Sequence, residues 1–336
     1  MKRHLFSNSF QMMIDSYFAG MKQFLLLLCF ISASIALKAQ KPFRNELMIL
    51  TENDNYDLEL TDRYYSNGFI IQYNRLAVKH KETALKKIHR AELAHKVYNP
   101  VSNRRSSAEV LAIMDRPFAG WFSASYGANL IYKSQHILQY QVTAGIMGPA
   151  AAGRQVQQGW HKLIGLYKVY GWEYQLNNEA GLNVAAEYYH SLISKQDNNN
   201  TTVHLTGKAS LGNTFTNVAA GVLLKTGKLL SEENSHYWNA GLGRDVKTSP
   251  RHEFVFFAEP LIQYQLYNAT IQGGLFRSDK GPFTTALEPF VFQTKTGFMF
   301  NGNRAGIRWY YTFRTREGKA MWKGEHWGSI GLTLRF

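Results

Sequence analysis

The segment at residues 148–165, GPAAAGRQVQQGWHKLIG, carries the side chains of this chain that are best suited to chemistry. A turn rich in Gly and Ala leads into a short helical pattern, predicted over 152–165, in which Gln157 and His161 share one face. A neutral imidazole accepts a proton, and an amide oxygen binds a metal ion or a water molecule. The pair therefore suits acid–base chemistry. The alternative is a histidine with a purely structural role on a connecting helix.

Two more polar clusters lie next to predicted strands. The first, TENDN at 51–55, follows a predicted strand at 46–52 and groups oxygen side chains of the kind that bind Ca²⁺. The second, DRYYSNG at 62–68, enters the next strand and offers the Ser66 hydroxyl and backbone carbonyls as further ligands. Asn and Asp are also ordinary turn residues, so a capped turn is the alternative to a metal site.

Arg104 and Arg105 form an adjacent pair in a predicted loop. Two permanently charged guanidinium groups suit a phosphate, whereas a basic surface loop is the alternative. The whole chain carries a net charge of +14, which indicates an anionic partner. Because the chain carries an export signal, phosphorylated lipid headgroups are the expected partner and nucleic acid is not.

The export signal lies at 21–40, where a Met and a Lys precede an apolar run of signal-peptide length. Cleavage is expected near Ala39 or Gln40. We interpret residues 1–20 as an upstream extension and residues 41–336 as a single domain. The one cysteine, Cys29, lies in the predicted signal peptide, so the mature chain is expected to have no disulfide.

The rest of the chain alternates between apolar and polar residues, is rich in aromatics and contains about a dozen strand-like segments, among them 238–244 and 270–276. The final strand ends in Phe336, as in outer-membrane barrels. A basic segment at 79–96 instead has helix-like spacing, and we interpret it as an amphipathic or solvated helix. The predicted fold is all-β: a closed antiparallel outer-membrane β-barrel of about twelve strands, with short helical segments in its connections.

Together these segments resemble the outer-membrane lipid A 3′-O-deacylase family (LpxR-type). The resemblance rests on the order and spacing of TENDN, DRYYSNG, the NPVSNRR loop that leads to DRPFAGW at 115–121, and GPAAAGRQVQQGWHKLIG. It implies a twelve-stranded barrel with a site near the outer rim. It also implies Ca²⁺-dependent hydrolysis of the 3′-acyloxyacyl ester of lipid A.

The resemblance also implies roles for individual residues. The catalytic set is His161, Asn53 and Gln157. The substrate-binding pair is Arg104 and Arg105, and the metal ligands are Asp54, Ser66 and a carboxylate that follows the histidine. Direct counting places that carboxylate at Tyr167, which is not acidic, so we predict Glu173, with Glu179 as the alternative.

In the mechanism that follows, His161 takes a proton from water, which attacks the ester, and a Ca²⁺ at Asp54 stabilises the oxyanion. The absence of a G-x-S-x-G motif argues against a serine esterase. The expected partners are lipid A or lipopolysaccharide and the outer membrane, and we expect a monomer. The rival hypotheses are a non-catalytic barrel, either a pore or a structural protein, and a barrel phospholipase.

Overall fold

The computed structural model describes residues 42–57, 62–78, 84–104, 106–194, 200–244 and 252–336. These residues form twelve antiparallel strands, each paired with its neighbours in chain order, and the pairing of β1 with β12 closes the barrel. The predicted all-β barrel is therefore confirmed. The predicted extension at 1–20 and signal peptide at 21–40 lie outside the described residues. The strands are β1 Asn45–Asn53, β2 Tyr64–Leu76, β3 Ala84–Asn99, β4 Ala119–Tyr132, β5 Ile137–Met147, β6 Glu179–Ile193, β7 Thr201–Gly212, β8 Phe215–Lys228, β9 Glu253–Asn268, β10 Phe290–Asn301, β11 Ala305–Arg314 and β12 Glu325–Arg335.

The helices of the described residues all lie in connections between strands. They are α1 Ser107–Ala112, α2 Gly153–Ile164 and α3 Ala269–Gln272. Single 3₁₀ turns occur at Asp54–Asp57, Pro149–Ala151, Trp172–Tyr174 and His236–Trp238. The helix predicted at 152–165 is confirmed as α2. Within the described ranges, no helix is both long enough and apolar enough to cross a membrane.

The helix predicted at 79–96 is wrong. From Ala84 onward this segment is β3, and residues 79–83 lie outside the described residues. Its apolar side chains are divided between the two faces of the barrel wall, with Ile88 buried in the lumen and Leu93 exposed outside. Because the interior of such a barrel is polar, charged residues point inward as well, and the resulting pattern mimics an amphipathic helix.

Two predicted strands are also wrong. The segment at 270–276 forms most of α3 and the loop after it. The segment at 238–244 belongs to a stretch, residues 229–244, that folds into the lumen. There Asn129 on β4 donates a hydrogen bond to the Trp238 carbonyl (3.0 Å), and Lys86 on β3 donates one to the Ala240 carbonyl (2.7 Å). The chain itself therefore occupies this part of the lumen, which is not the arrangement of an open pore.

The connections at the two ends of the barrel differ in length. The start of β1, the C-terminal Phe336 and the segment 229–244 lie at one end. The opposite end carries long connections, among them 100–118, between β3 and β4, and 148–178, between β5 and β6. Long loops of outer-membrane barrels face the cell exterior, which identifies this second end as the outer rim.

Candidate active site

The barrel wall separates neighbouring residues near the outer rim into an inner and an outer set. Along β1, Glu52 faces the lumen, where it accepts a hydrogen bond from the Tyr65 hydroxyl, so Asn53 belongs to the outer set. A β-bulge shifts the pairing of β2 with β3 between Tyr65 and Asn67. The extra residue breaks the alternation, so that Ser66 lies on the outer side together with Asn67.

Hydrogen bonds fix this outer cluster at the strand ends. Asn53 donates to the Asn67 side chain (2.6 Å), and Asn99 donates to the Ser66 hydroxyl (2.7 Å). The carboxylate of Asp54 accepts the backbone N–H of Arg63 at 2.6 Å. Asn53, Asp54 and Ser66 are all buried, so the sequence-predicted oxygen ligands form an ordered group.

Helix α2 lies against the outer face of β3 and β4. The side chain of His95 on β3 faces outward, and its Nε2 forms a hydrogen bond with the carbonyl of Ala151, just before the helix (2.8 Å). Two glycines allow the close approach: a Cβ on Gly120 would lie 3.0 Å from the backbone nitrogen of Gly153. A larger residue at either position would push the helix away from the wall.

The left-handed conformation of Gly165 ends α2 one turn after His161. Gly165 has a φ of 74°, a conformation that glycine adopts without a Cβ penalty. The following residue, Leu166, donates its N–H to the His161 carbonyl at 2.8 Å. The reversal brings the next segment back toward His161 and places Tyr167 beside its ring.

The buried face of α2 carries Gln157 and His161, which are 1% and 2% exposed. Gln157 accepts a hydrogen bond from the Trp172 indole N–H at 2.8 Å. Its own amide nitrogen is buried without a hydrogen-bond partner among the described residues. His161 Nδ1 lies 2.8 Å from the Tyr167 carbonyl, so Nδ1 carries a hydrogen and Nε2 is the atom that exchanges a proton.

A carboxylate that the sequence did not assign lies beside His161. Nε2 of His161 is 3.1 Å from Oδ2 of Asp62, and the Tyr167 hydroxyl donates to the same oxygen. The other oxygen, Oδ1, is buried without a hydrogen-bond partner among the described residues. Asp62 therefore joins α2 to the entrance of β2, next to the Arg63 N–H that binds Asp54.

A left-handed residue at the start of β2 sets the position of Asp62. Tyr64 has a φ of 60°, which is uncommon for a residue other than glycine. Its hydroxyl donates to the Asp115 carboxylate at 2.6 Å, and both side chains are buried. Such a conformation persists where surrounding contacts enforce it, and it is concentrated at functional sites.

The proton affinity of His161 reflects two opposing effects. Burial lowers the pKa of His161, but the hydrogen bond and negative charge of Asp62 outweigh it, so the pKa lies above its ordinary value. The ion pair is present below this raised pKa and is lost as the pH rises through it. Burial and the Asp62 carboxylate also raise the pKa of the Tyr167 phenol, which keeps it protonated as a donor.

The variant Asp62→Asn is expected to lower the pKa of His161, because burial remains while the opposing charge is removed. An NMR titration of ¹⁵N-histidine-labelled protein, kept free of metal by a chelator, measures this directly. His89→Gln, at a half-buried histidine on β3, helps to assign the spectrum. An unchanged His161 titration in the variant would contradict the Asp62 contact.

The predicted carboxylate ligand, Glu173, is not among the groups that the structure places against His161. Its side chain is exposed and bonds Ser107, and this hydrogen bond lowers the pKa of Glu173. The alternative, Glu179, accepts the backbone N–H of Phe276 at 3.1 Å. The carboxylate that contacts His161 comes from Asp62 instead. Two features of the sequence could have indicated Asp62: Tyr167 stands where an acidic residue was expected, and Asp62 just before β2 had no assigned role.

The predicted arginine pair is described only in part. The guanidinium of Arg104 lies over the Tyr167 ring, 4.1 Å from its centroid, and the side chain is otherwise exposed. Arg105 lies outside the described residues. Arg104 therefore borders the site from the solvent side and places a fixed positive charge at its entrance.

The donor set suits a hard cation. Asp54 accepts the Arg63 N–H, and Asp62 is the residue before Arg63 in the chain. The side-chain oxygens of Asn55 and Asn99 are buried without hydrogen-bond partners among the described residues. Ca²⁺ accepts such mixtures of carboxylate, amide and hydroxyl oxygens. Within the described ranges no group of three or more His, Cys, Asp or Glu side chains could hold a metal ion.

The fold and the position of this site define an outer-membrane β-barrel whose polar cluster lies outside the wall, at the rim. The chain belongs to the family described as Outer membrane protein LpxR, whose model matches residues 25–336. The predicted outer-membrane location is confirmed. No curated protein matches the chain in a sequence search.

The chain is similar to several solved structures, to different degrees. LpxR from Salmonella typhimurium is 18% identical, with a TM-score of 0.68, and the match covers 87% of this chain and all of that one. The translocator domain of the autotransporter NalP from Neisseria meningitidis is 11% identical, with a TM-score of 0.43, covering 96% of this chain and 98% of that one. The β domain of the Bordetella autotransporter BrkA is 8% identical, also with a TM-score of 0.43, covering 88% of this chain and 100% of that one.

Proposed function

We propose that this protein is an outer-membrane lipid A deacylase that hydrolyses the 3′-acyloxyacyl ester with a water molecule activated by His161. Membership of the LpxR family supports the substrate class. The observation that carries the chemistry is the buried contact between His161 Nε2 and Asp62, with Nδ1 fixed by the Tyr167 carbonyl. An imidazole fixed in this way has one nitrogen available to accept a proton.

In the proposed reaction, Nε2 of neutral His161 takes a proton from water as the water oxygen attacks the ester carbonyl. The bond between the acyl carbon and the 3′ oxygen then breaks, and His161 returns the proton to that oxygen. The products are the free acyloxyacyl acid and lipid A with a 3′ hydroxyl. Asp62 stabilises the imidazolium that forms. Because the base must be neutral, activity rises with pH through the raised pKa of His161.

We propose Asp54, Ser66 and Asp62 as ligands of a Ca²⁺ ion, with Asp62 in the place first predicted for Glu173. When bound, Ca²⁺ would supply positive charge to stabilise the oxyanion of the ester. Asn53 orients the cluster through its hydrogen bond to Asn67. The partnerless amide nitrogen of Gln157 is a donor for an oxygen of the substrate.

The outer surface of α2 suits an acylated substrate. Val156, Trp160 and Leu163 are spaced three or four residues apart and are 46%, 45% and 76% exposed. The helix lies outside a barrel wall whose outward side chains include the exposed Leu93 and Phe122. The stripe therefore continues the lipid-facing surface, and acyl chains can stay in the membrane while the ester reaches His161.

Replacing Arg104 and Arg105 together by glutamine is expected to raise KM by at least about tenfold, because the pair would bind a headgroup phosphate through charge-assisted hydrogen bonds. A contact made equally in ground and transition states changes KM more than kcat. Steady-state kinetics on purified lipid A in detergent separates the two parameters. Arg154→Gln, at an exposed residue of α2, is the control, and a double variant with wild-type KM would refute this role.

The purified protein assayed on lipid A and on phospholipids tests the proposed activity in vitro. Release of the 3′-acyloxyacyl acid from lipid A, identified by its mass, is expected. Release of fatty acid from phospholipid alone would favour a barrel phospholipase. No release from either substrate, with a folded barrel, would favour a non-catalytic protein on the same scaffold.

A further inference from the structure

A cavity of about 180 Å³ lies in the lumen, on the opposite side of the wall from the candidate active site. Glu52 and Tyr65 line it, each adjacent in sequence to a residue of the outer cluster, Asn53 or Ser66. A water molecule takes about 30 Å³ in the liquid, so the cavity has room for a small polyatomic ion and several waters. Its lining points to the sign of that ion.

Two lysines in the lining make no close ion pair among the described residues. Neither Lys96 nor Lys295 makes an ion pair within 4.0 Å of an acidic group in the described parts of the chain. Their ammonium groups instead lie near aromatic rings, 5.9 Å from the Tyr65 centroid and 5.1 Å from the Tyr310 centroid. Both lysines are half-buried, and two charges of the same sign around one cavity repel each other unless an anion offsets them.

The other charges of the lining already have partners. Glu52, its one acidic residue, accepts hydrogen bonds from three hydroxyls, two of them those of Tyr310 and Ser329 at 3.2 Å. The third cation, Arg314, pairs with Glu317 at 2.7 Å. The lining therefore carries three cations against the single carboxylate of Glu52, and it keeps a net positive charge.

The cavity wall also contains neutral donors without acceptors. The Thr312 hydroxyl and the Trp327 indole N–H are both buried and have no hydrogen-bond partner among the described residues. Both residues line the cavity. A lining that offers more donors than acceptors favours a ligand rich in acceptor oxygens.

We propose that this cavity binds a small oxyanion of phosphate or sulfate type between Lys96 and Lys295. The ligand is a free anion, because lipid headgroups lie on the outer side of the wall and the cavity lies on the inner side. Binding links β3 to β10 across the lumen, behind the strand ends that carry the outer cluster. The inference does not depend on the proposed deacylase activity.

Calorimetric titration of the detergent-solubilised protein with inorganic phosphate, at constant ionic strength in chloride, tests the proposal. The wild type is expected to bind one phosphate. Lys96→Gln and Lys295→Gln are each expected to weaken binding by at least about tenfold, since each removes a charge-assisted hydrogen bond. The double variant Lys162→Gln/Lys168→Gln, which removes two exposed charges near α2, is expected to bind as the wild type does.

The variants distinguish phosphate binding in the cavity from phosphate binding on the outer surface. Binding that survives in the double variant Arg104→Gln/Arg105→Gln but is lost in the lysine variants supports the cavity. No binding by the wild type, or equal affinity in the lysine variants, overturns the proposal. Should the lysine variants fail to fold, wild-type crystals soaked in selenate decide it: an anomalous peak between Lys96 and Lys295 is expected, and its absence contradicts the site.

Discussion

His161→Ala is expected to lower turnover on lipid A by at least about two orders of magnitude, the usual range for loss of a general base. The expectation follows from the hydrogen bonds of the ring, since the Tyr167 carbonyl holds Nδ1 and leaves Nε2 as the proton acceptor. KM is expected to change little, because substrate binding would rest on the arginine pair and the acyl chains. Release of the 3′-acyloxyacyl acid by the purified variant in detergent gives both parameters.

Lys162→Ala is the matched control for this experiment. Lys162 is the next residue on α2 and is exposed, so its loss leaves the helix and the buried face intact. The migration of unheated protein on a gel reports whether each barrel is folded. A folded His161→Ala protein with wild-type turnover would rule out the proposed base and favour a non-catalytic barrel.

Asp54→Ala is expected to abolish both activity and Ca²⁺ binding while the barrel stays folded. Asp54 is a buried carboxylate at the rim that accepts the Arg63 N–H. A charged carboxylate binds a hard cation more strongly than the neutral amide and hydroxyl oxygens of this cluster do. Excess chelator is expected to have the same effect on the wild type, and added Ca²⁺ to restore activity. Terbium luminescence measures cation binding without a turnover assay.

Asp279→Asn provides the control for removal of a carboxylate. Asp279 is exposed in the connection between α3 and β10, where its side chain accepts the Gly281 N–H. This variant is expected to bind terbium and turn over lipid A as the wild type does. Wild-type turnover that persists in excess chelator would contradict a metal role for Asp54.

The barrel and the position of α2 were predictable because each leaves a local pattern in the sequence. In a barrel strand, side chains face lipid and lumen in turn, so apolar and polar residues alternate with a period of two. The helical pattern at 152–165 coincides with α2. The segment at 79–96 was misread because β3 carries charges such as Arg90 and Glu92 toward a polar lumen. At 238–244 the apolar residues fill the lumen rather than a sheet, and no local pattern separates these two environments.

The candidate site was predictable in its types of residue but not in every member. Asn53, Asp54, Gln157 and His161 stand in segments whose spacing is informative. The carboxylate beside His161 comes from Asp62, which is remote in the sequence, and a tyrosine takes the local position. Sequence spacing alone does not reveal that Tyr167 and Asp62 both contact His161, where a single acidic residue was expected.

The bulge at Ser66 explains how one wall serves two environments. If the alternation of β2 continued unbroken from Asn67, Ser66 would point into the lumen. The bulge places Ser66 on the outer side instead, where Asn99 donates a hydrogen bond to its hydroxyl. The polar cluster thus lies between a barrel wall and a helix with a lipid-facing stripe, close to where a lipid ester would be. The lumen behind it remains available for a separate charged cavity.

Mass spectrometry of lipid A tests the central claim most directly. Lipid A is extracted from Gram-negative cells that produce the wild-type protein, the His161→Ala variant or neither. The account predicts a species that lacks the 3′-acyloxyacyl group only in cells with the wild-type protein. Lipid A of unchanged mass in those cells, with the protein folded in their outer membrane, would contradict it.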